Sequence, residues 1–187
     1  KVLDTSMGLT PLDGFMMGTR SGALDPSVVT FIAEKENMTP QEMSELLNKK
    51  SGLLGISGIS SDDRDVCAAE AKGDPRAILA HKMLVYEIKK FIGGYVAAMD
   101  GCDAIIFTAG LGENQSSHRL NICKGLTYLG VEVDPELNDL FVHGHGGDHG
   151  AGEISTPNSK VKVFVIPTNE ELVIARDTRD IVNRMAK

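Results

Sequence analysis

Apolar and polar positions separate short β-type runs from longer helical stretches along this chain. Residues 2–6 read as a strand, and residues 7–24 as a long loop holding Gly8, Gly14, Gly18 and Gly22. Asp25-Pro26 predicts a helix start: Asp caps free N–H groups, and Pro lacks the N–H that a first turn cannot pair. Thr39-Pro40-Gln41-Glu42 repeats the device as a capping box ahead of Met43, Leu46 and Leu47. Asp74-Pro75 opens the longest helix, to about Met99, with Ile78, Val85, Ile88, Ile92, Tyr95 and Val96 among its apolar positions. These cover two faces rather than one narrow stripe, which predicts a central helix or one at a subunit contact.

Asp103-Ala104-Ile105-Ile106 is an apolar strand that runs through Phe107-Thr108-Ala109-Gly110-Leu111-Gly112-Glu113-Asn114 into a polar helix. Val161 to Ile166 is a second apolar strand, ended by Pro167, and Thr168 to about Met185 is the last helix. Residues 143–152 read as a flexible loop. Strands separated by helices of this length predict an α/β domain with a mixed or parallel sheet.

The 187 residues suffice for one substantial core. No apolar run approaches the ~20 residues of a membrane span. A net charge of −7 without a basic block argues against a general nucleic-acid or anionic-membrane binder. Cys67, Cys102 and Cys123 are widely spaced and odd in number, as in a reduced, cytoplasmic protein. The chain opens directly on a strand-like run with neither an initiator Met nor a signal pattern, as expected of a piece that begins in mid-protein.

Candidate chemistry falls in four segments. Arg20 lies between Gly18 and Gly22, where the backbone can present its planar fork to a carboxylate or a transferring phosphoryl group. A surface ion pair is the plain alternative. Ser60-Ser61-Asp62-Asp63-Arg64-Asp65 precedes an apolar run and reads first as a helix cap. At Gly110 and Gly112 a strand turns into a helix, placing bare backbone beside free N–H groups, a geometry that suits a nucleotide. Thr168-x-x-Glu171 is a capping box, which leaves Glu170 to favour the helix dipole or to bind Mg²⁺. His143, His145 and His149 resemble a metal cluster, but the glycines around them favour a mobile loop without rigid support.

Together these segments resemble the acetate kinases of the acetokinase family. Asp4-Thr5-Ser6-Met7-Gly8-Leu9-Thr10-Pro11 with Met16-Met17-Gly18-Thr19-Arg20 looks like one signature. Phe107 to Asn114 and Pro167-Thr168-Asn169-Glu170-Glu171-Leu172 look like two more, in the family's order. The resemblance covers nearly all 187 residues but only the C-terminal half of the family's chain. It implies an α/β domain of the actin/Hsp70/sugar-kinase (ribonuclease H-like) type, a mixed sheet flanked by helices. Residues 1–187 are then the C-terminal nucleotide-binding domain, with the N-terminal domain absent.

The implied activity is reversible formation of acetyl phosphate and ADP from acetate and ATP with Mg²⁺, in a cytoplasmic homodimer. Propionate kinase and a non-catalytic nucleotide-binding or dimerisation module are the rivals. By position, the resemblance makes Arg20 the stabiliser of the phosphoryl in flight and Pro11 part of the methyl pocket. Asp62, Asp63 and Arg64 match the family's nucleoside-contacting Asp-Phe-Arg, with Asp63 where the aromatic stands. Gly110, Leu111, Gly112, Glu113 and Asn114 would hold the adenosine end of ATP, and Glu170 the Mg²⁺. The family's substrate-binding Arg, catalytic Asp and His, Mg²⁺-linked Asn and phosphate-binding glycine loops belong upstream of Lys1. Half a cleft of this kind is expected to be inactive alone, because phosphoryl transfer needs charge stabilisation from both sides.

Overall fold

Each of the three Asp/Thr-Pro signals starts a helix. The computed structural model describes residues 1–141 and 151–185, in two compact units, Lys1–Cys102 and Asp103–Lys187.

In the first unit, α1 spans Pro26–Lys35, α2 Pro40–Lys49, α3 Gly52–Ser57, α4 Asp63–Glu70 and α5 Pro75–Ala98. The Asp25 carboxylate accepts the Ser27 N–H at 2.8 Å, and Asp74 accepts those of Arg76 and Ala77, both at 2.9 Å. Thr39 and Glu42 close the capping box: Thr39 accepts the Glu42 N–H, and Glu42 accepts the Thr39 N–H at 2.8 Å. Helix α5 packs on α3 and α4 through Ala77, Ala80, His81, Leu84 and Val85. Its second apolar face, with Leu79, Met83 and Tyr86, is exposed. Residues 7–24 contain no helix or strand, as the glycine spacing predicts.

The second unit holds β1 (Ala104–Phe107), α6 (Ala109–Asn114), α7 (Ser116–Lys124), α8 (Pro135–Leu140), β2 (Gly152–Glu153), β3 (Lys162–Val165) and α9 (Glu170–Met185). Its sheet is mixed, in the order β1-β3-β2. β1 runs parallel to β3, with Phe107 opposite Val165, and β2 runs antiparallel to β3. Val163 and Val165 point into a core shared with Ile122, Leu126, Val131 and Ile154.

Three expectations change. Residues 2–6 form no strand, and Val2 and Leu3 are 81% and 67% exposed: a strand exists by its ladder, and the described residues offer this run no partner. Gly152, read as part of a flexible loop, lies in β2, while residues 142–150 fall outside the described residues. The last helix starts at Glu170 rather than Thr168, because the Asn169 side chain accepts the Leu172 N–H at 2.9 Å. The Thr168–Glu171 box therefore does not form, and the Thr168 hydroxyl turns elsewhere.

Candidate functional site

Arg20 stands on a turn whose backbone is locked to the α2–α3 junction. The first N–H groups of α3 donate into it, Leu53 to the Met17 carbonyl and Leu54 to that of Gly18, both at 2.9 Å. Ser51 donates to Thr19, Ser21 donates to Leu47, and the Thr19 hydroxyl donates to the Asn48 carbonyl. Gly52 makes the approach possible. It sits at φ +61°, and a Cβ there would lie 2.1 Å from the Met17 carbonyl oxygen.

On this rigid base the Arg20 guanidinium meets the Met17 sulfur at 3.6 Å and pairs with no carboxylate among the described residues. The ion-pair alternative finds no support there. Arg20 faces a polar cavity of about 640 Å³ that it lines with Gln41, Glu45, Asn48 and Lys49.

The same turn touches the second segment. A Cβ on Gly18 would come 2.7 Å from the Ser61 carbonyl oxygen, so glycine lets the Arg20 turn press against the residues before α4. Asp62 is the N-cap of α4 and accepts the Arg64 N–H at 2.9 Å. The Arg64 fork also closes on Asp62, Nε to Oδ1 at 3.0 Å and Nη2 to Oδ2 at 2.5 Å. These hydrogen bonds hold the Asp62 carboxyl down at about 2. Asp63 faces the other way. It is 8% exposed, and its Oδ1 lies 3.1 Å from His81 Nε2 on α5.

In the second unit Glu113 joins the other two segments. Its Oε1 accepts the Ala109 N–H at 2.7 Å, the Thr168 N–H at 2.9 Å and the Thr168 hydroxyl at 3.1 Å. The Ala109 N–H, counted as free from the sequence, is thus taken. Ala109 itself sits at φ +59°, a strained value for a residue with a Cβ. The two glycines lie inside α6 and differ in purpose. A Cβ on Gly110 would meet nothing within 4 Å, whereas one on Gly112 would touch the Phe107 backbone at 3.3 Å. Gly110 borders open space, and Gly112 serves packing. Asn114 ties α6 together by donating to the Gly110 carbonyl at 2.9 Å.

Pro11 is exposed beside Thr10 and Leu12, which line a largely apolar cavity of about 560 Å³ with Leu24, Val29 and Leu47. Glu170 is the first residue of α9, but its side chain lies outside the described residues, as do His143, His145 and His149.

Two residue groups escaped the sequence reading. Arg119 on α7 is fully buried and donates to the carbonyls of Gly112, Glu113, Asn138 and Phe141 and to the Asn138 side chain, at 2.7–2.9 Å. It holds the C-terminal end of α6 in place, yet an Arg in a polar helix carries no sign of burial. His81 likewise reads as one residue of a long helix. In the structure it lies between Asp63 and Glu70, with Cys67 donating to the second Asp63 oxygen at 3.4 Å.

An α/β chain with this mixed sheet has the fold type of actin and Hsp70. It belongs to the acetokinase family, whose model matches residues 1–176. Acetate kinase of Bacteroides fragilis is 55% identical over 184 residues, 98% of this chain and 44% of the relative. The crystal structure of Porphyromonas gingivalis acetate kinase superposes with a TM-score of 0.87 at 47% identity, covering 97% of this chain and 44% of that one. A propionate kinase from Francisella tularensis gives 0.81 at 42% identity, over 92% and 42%. The chain thus spans less than half the length of these relatives. Among the described residues no helix is long and apolar enough to cross a membrane.

Proposed function

We propose that the full-length protein carrying this chain transfers a phosphoryl group between ATP and acetate, forming acetyl phosphate and ADP reversibly with Mg²⁺. The family match over residues 1–176 carries this reading, and the Arg20 turn supports it. A planar fork carried on a hydrogen-bonded turn and not spent on a carboxylate among the described residues is available for charge that develops on a phosphoryl in flight. Pro11 lines the methyl pocket. Asp62 and Arg64 meet the nucleoside, and Asp63 contributes through its backbone because its carboxylate faces His81. Gly110, Leu111 and Gly112 offer main chain to the adenosine end, in a segment shaped by Glu113 and Asn114.

Glu170 would hold Mg²⁺, which favours few carboxylates and keeps its waters, and which neutralises phosphate charge when bound. The other half of the cleft belongs to an N-terminal domain outside this chain, so the 187 residues alone are inactive. Cys67 and Cys123, thiols rather than disulfides, fit a reducing cytoplasm. Steady-state kinetics of the full-length protein test the proposal. The kcat/KM for acetate is expected to exceed that for propionate, and a clear propionate preference would overturn it, since one methylene is worth only ~1–3 kcal/mol in such a pocket.

A second reading, self-association through this half, rests on the exposed stripe of Leu79, Met83 and Tyr86, spaced for one face of α5. Light scattering that gave only monomer at tens of micromolar would remove it.

A further inference from the structure

We propose that Met17 is the positioning residue for Arg20: its thioether sulfur holds one arm of the guanidinium in place and leaves the positive charge whole. The inference rests on the reading of Arg20 as the residue that stabilises the phosphoryl group, and adds what aims its fork before substrate arrives. Arg20 Nη1 donates to Met17 Sδ at 3.6 Å, and among the described residues this sulfur is the one hydrogen-bond partner of the guanidinium.

The backbone beneath the sulfur is fixed from two sides. The Met17 N–H donates to the Arg20 carbonyl at 3.1 Å, which closes the turn from 17 to 20. The Met17 carbonyl accepts the Leu53 N–H of α3 at 2.9 Å, and a Cβ on Gly52 would stand 2.1 Å from the same oxygen. Sulfur and guanidinium thus stem from the two ends of one hydrogen-bonded turn, both half-buried.

A weak acceptor suits this task. A carboxylate on the fork would form a charge-assisted pair, cancel much of its charge and have to be displaced before a phosphoryl oxygen could bind. A thioether is neutral, polarisable and a weak acceptor, so it orients Nη1 without competing for the charge. The Nε–Nη2 edge, two parallel N–H groups that suit two phosphoryl oxygens, makes no hydrogen bond among the described residues. Arg64 shows the contrast, since it closes that same edge on Asp62. Donors that are already aimed lower the barrier because nothing reorganises during the reaction. Without the sulfur, the ordering of a long side chain falls on the transition state.

The test uses the full-length protein. Met17→Leu keeps the volume and removes the acceptor, a swap that packed sites tolerate. The kcat should fall about 3–10-fold, the scale of one modest hydrogen bond, with the KM for ATP and the melting temperature nearly unchanged. Met17→Gln restores an acceptor at similar reach and should recover most of the loss. Met16→Leu makes the same change one residue earlier, at a methionine that is 1% exposed, and should leave kcat as it was. Crystal structures of the unaltered protein and of Met17→Gln should show the Arg20 fork in one position, and Met17→Leu should show it displaced or spread over several.

Normal kcat in Met17→Leu, no recovery in Met17→Gln, or an equal loss in Met16→Leu overturns the proposal. So does an unmoved Arg20 fork, and a large fall in the melting temperature of Met17→Leu would make the residue structural instead. Failure of the Arg20 reading shows separately, as near-normal turnover in Arg20→Ala, and the position of the fork judges Met17 in that case too.

Discussion

Glu113 and Thr168, 55 residues apart in sequence, meet through one carboxylate oxygen that accepts both the backbone N–H and the hydroxyl of Thr168. The same oxygen accepts the Ala109 N–H, so a single atom joins the end of β1, the start of α6 and the approach to α9. Two sequence signatures become one piece of structure. Glu113→Ala should cost about 1–3 kcal/mol, since it strands those donors, and should raise the KM for ATP in the full-length protein. Glu113→Gln keeps an acceptor oxygen and should cost less. Equal effects in a thermal melt would show that charge, not the oxygen, makes the joint.

Arg20 separates catalysis from bracing. Arg20→Lys keeps the charge but loses the fork, so kcat in the full-length protein should fall far more than the KM for ATP rises. Arg20→Ala should lower kcat by about 10²–10³-fold, with little loss of stability because no ion pair is broken. Near-normal turnover in Arg20→Ala would take away the main catalytic residue assigned to this half.

Gly110 and Gly112 should respond oppositely to alanine. Gly110→Ala meets empty space within a helix and should hold or gain up to about 1 kcal/mol of stability, while weakening nucleotide binding. Gly112→Ala presses on the Phe107 backbone and should lose stability first. Calorimetric ATP titration beside denaturant melts of both variants checks the contrast.

Arg119 is a different kind of risk. Replacing it with Ala leaves several buried carbonyls without a donor and should cost about 3–5 kcal/mol, enough to threaten a domain of ordinary stability. Arg119→Lys cannot reach all of those acceptors and should recover only part of the loss. A urea midpoint unchanged by Arg119→Ala would contradict the buried network.

His81 sets a pH dependence of stability. Burial works against the imidazolium, but hydrogen bonds and charge from Asp63 and Glu70 outweigh it and hold the folded pKa above the ordinary value. The stabilisation is therefore fully present below the unfolded pKa of about 6.5 and is lost as pH rises through the folded value. Cys67, raised to about 12 by burial and by Asp63, stays a thiol throughout this window. The melting temperature should fall from pH 6 toward pH 8.5. His81→Gln should flatten that slope, and an unchanged slope would place the titration elsewhere.

The sequence by itself determined the local features. Asp25, Thr39 and Asp74 start helices because a cap and a proline act within one turn, and Val163 and Val165 mark a buried strand because side chains alternate along it. The family signatures were legible for the same reason, being contiguous in the chain. Tertiary structure decided what depends on distant partners. Val2–Ser6 carries a strand pattern but has no ladder among the described residues, and Thr168 gives up its capping box to bond Glu113. Asp63 turns to His81, 18 residues away, and Arg119 is buried by the carbonyls it serves. A carboxylate or guanidinium has the same composition in water as in a core. Only the groups brought around it by the fold decide whether it is a solvated charge, a brace or a ligand.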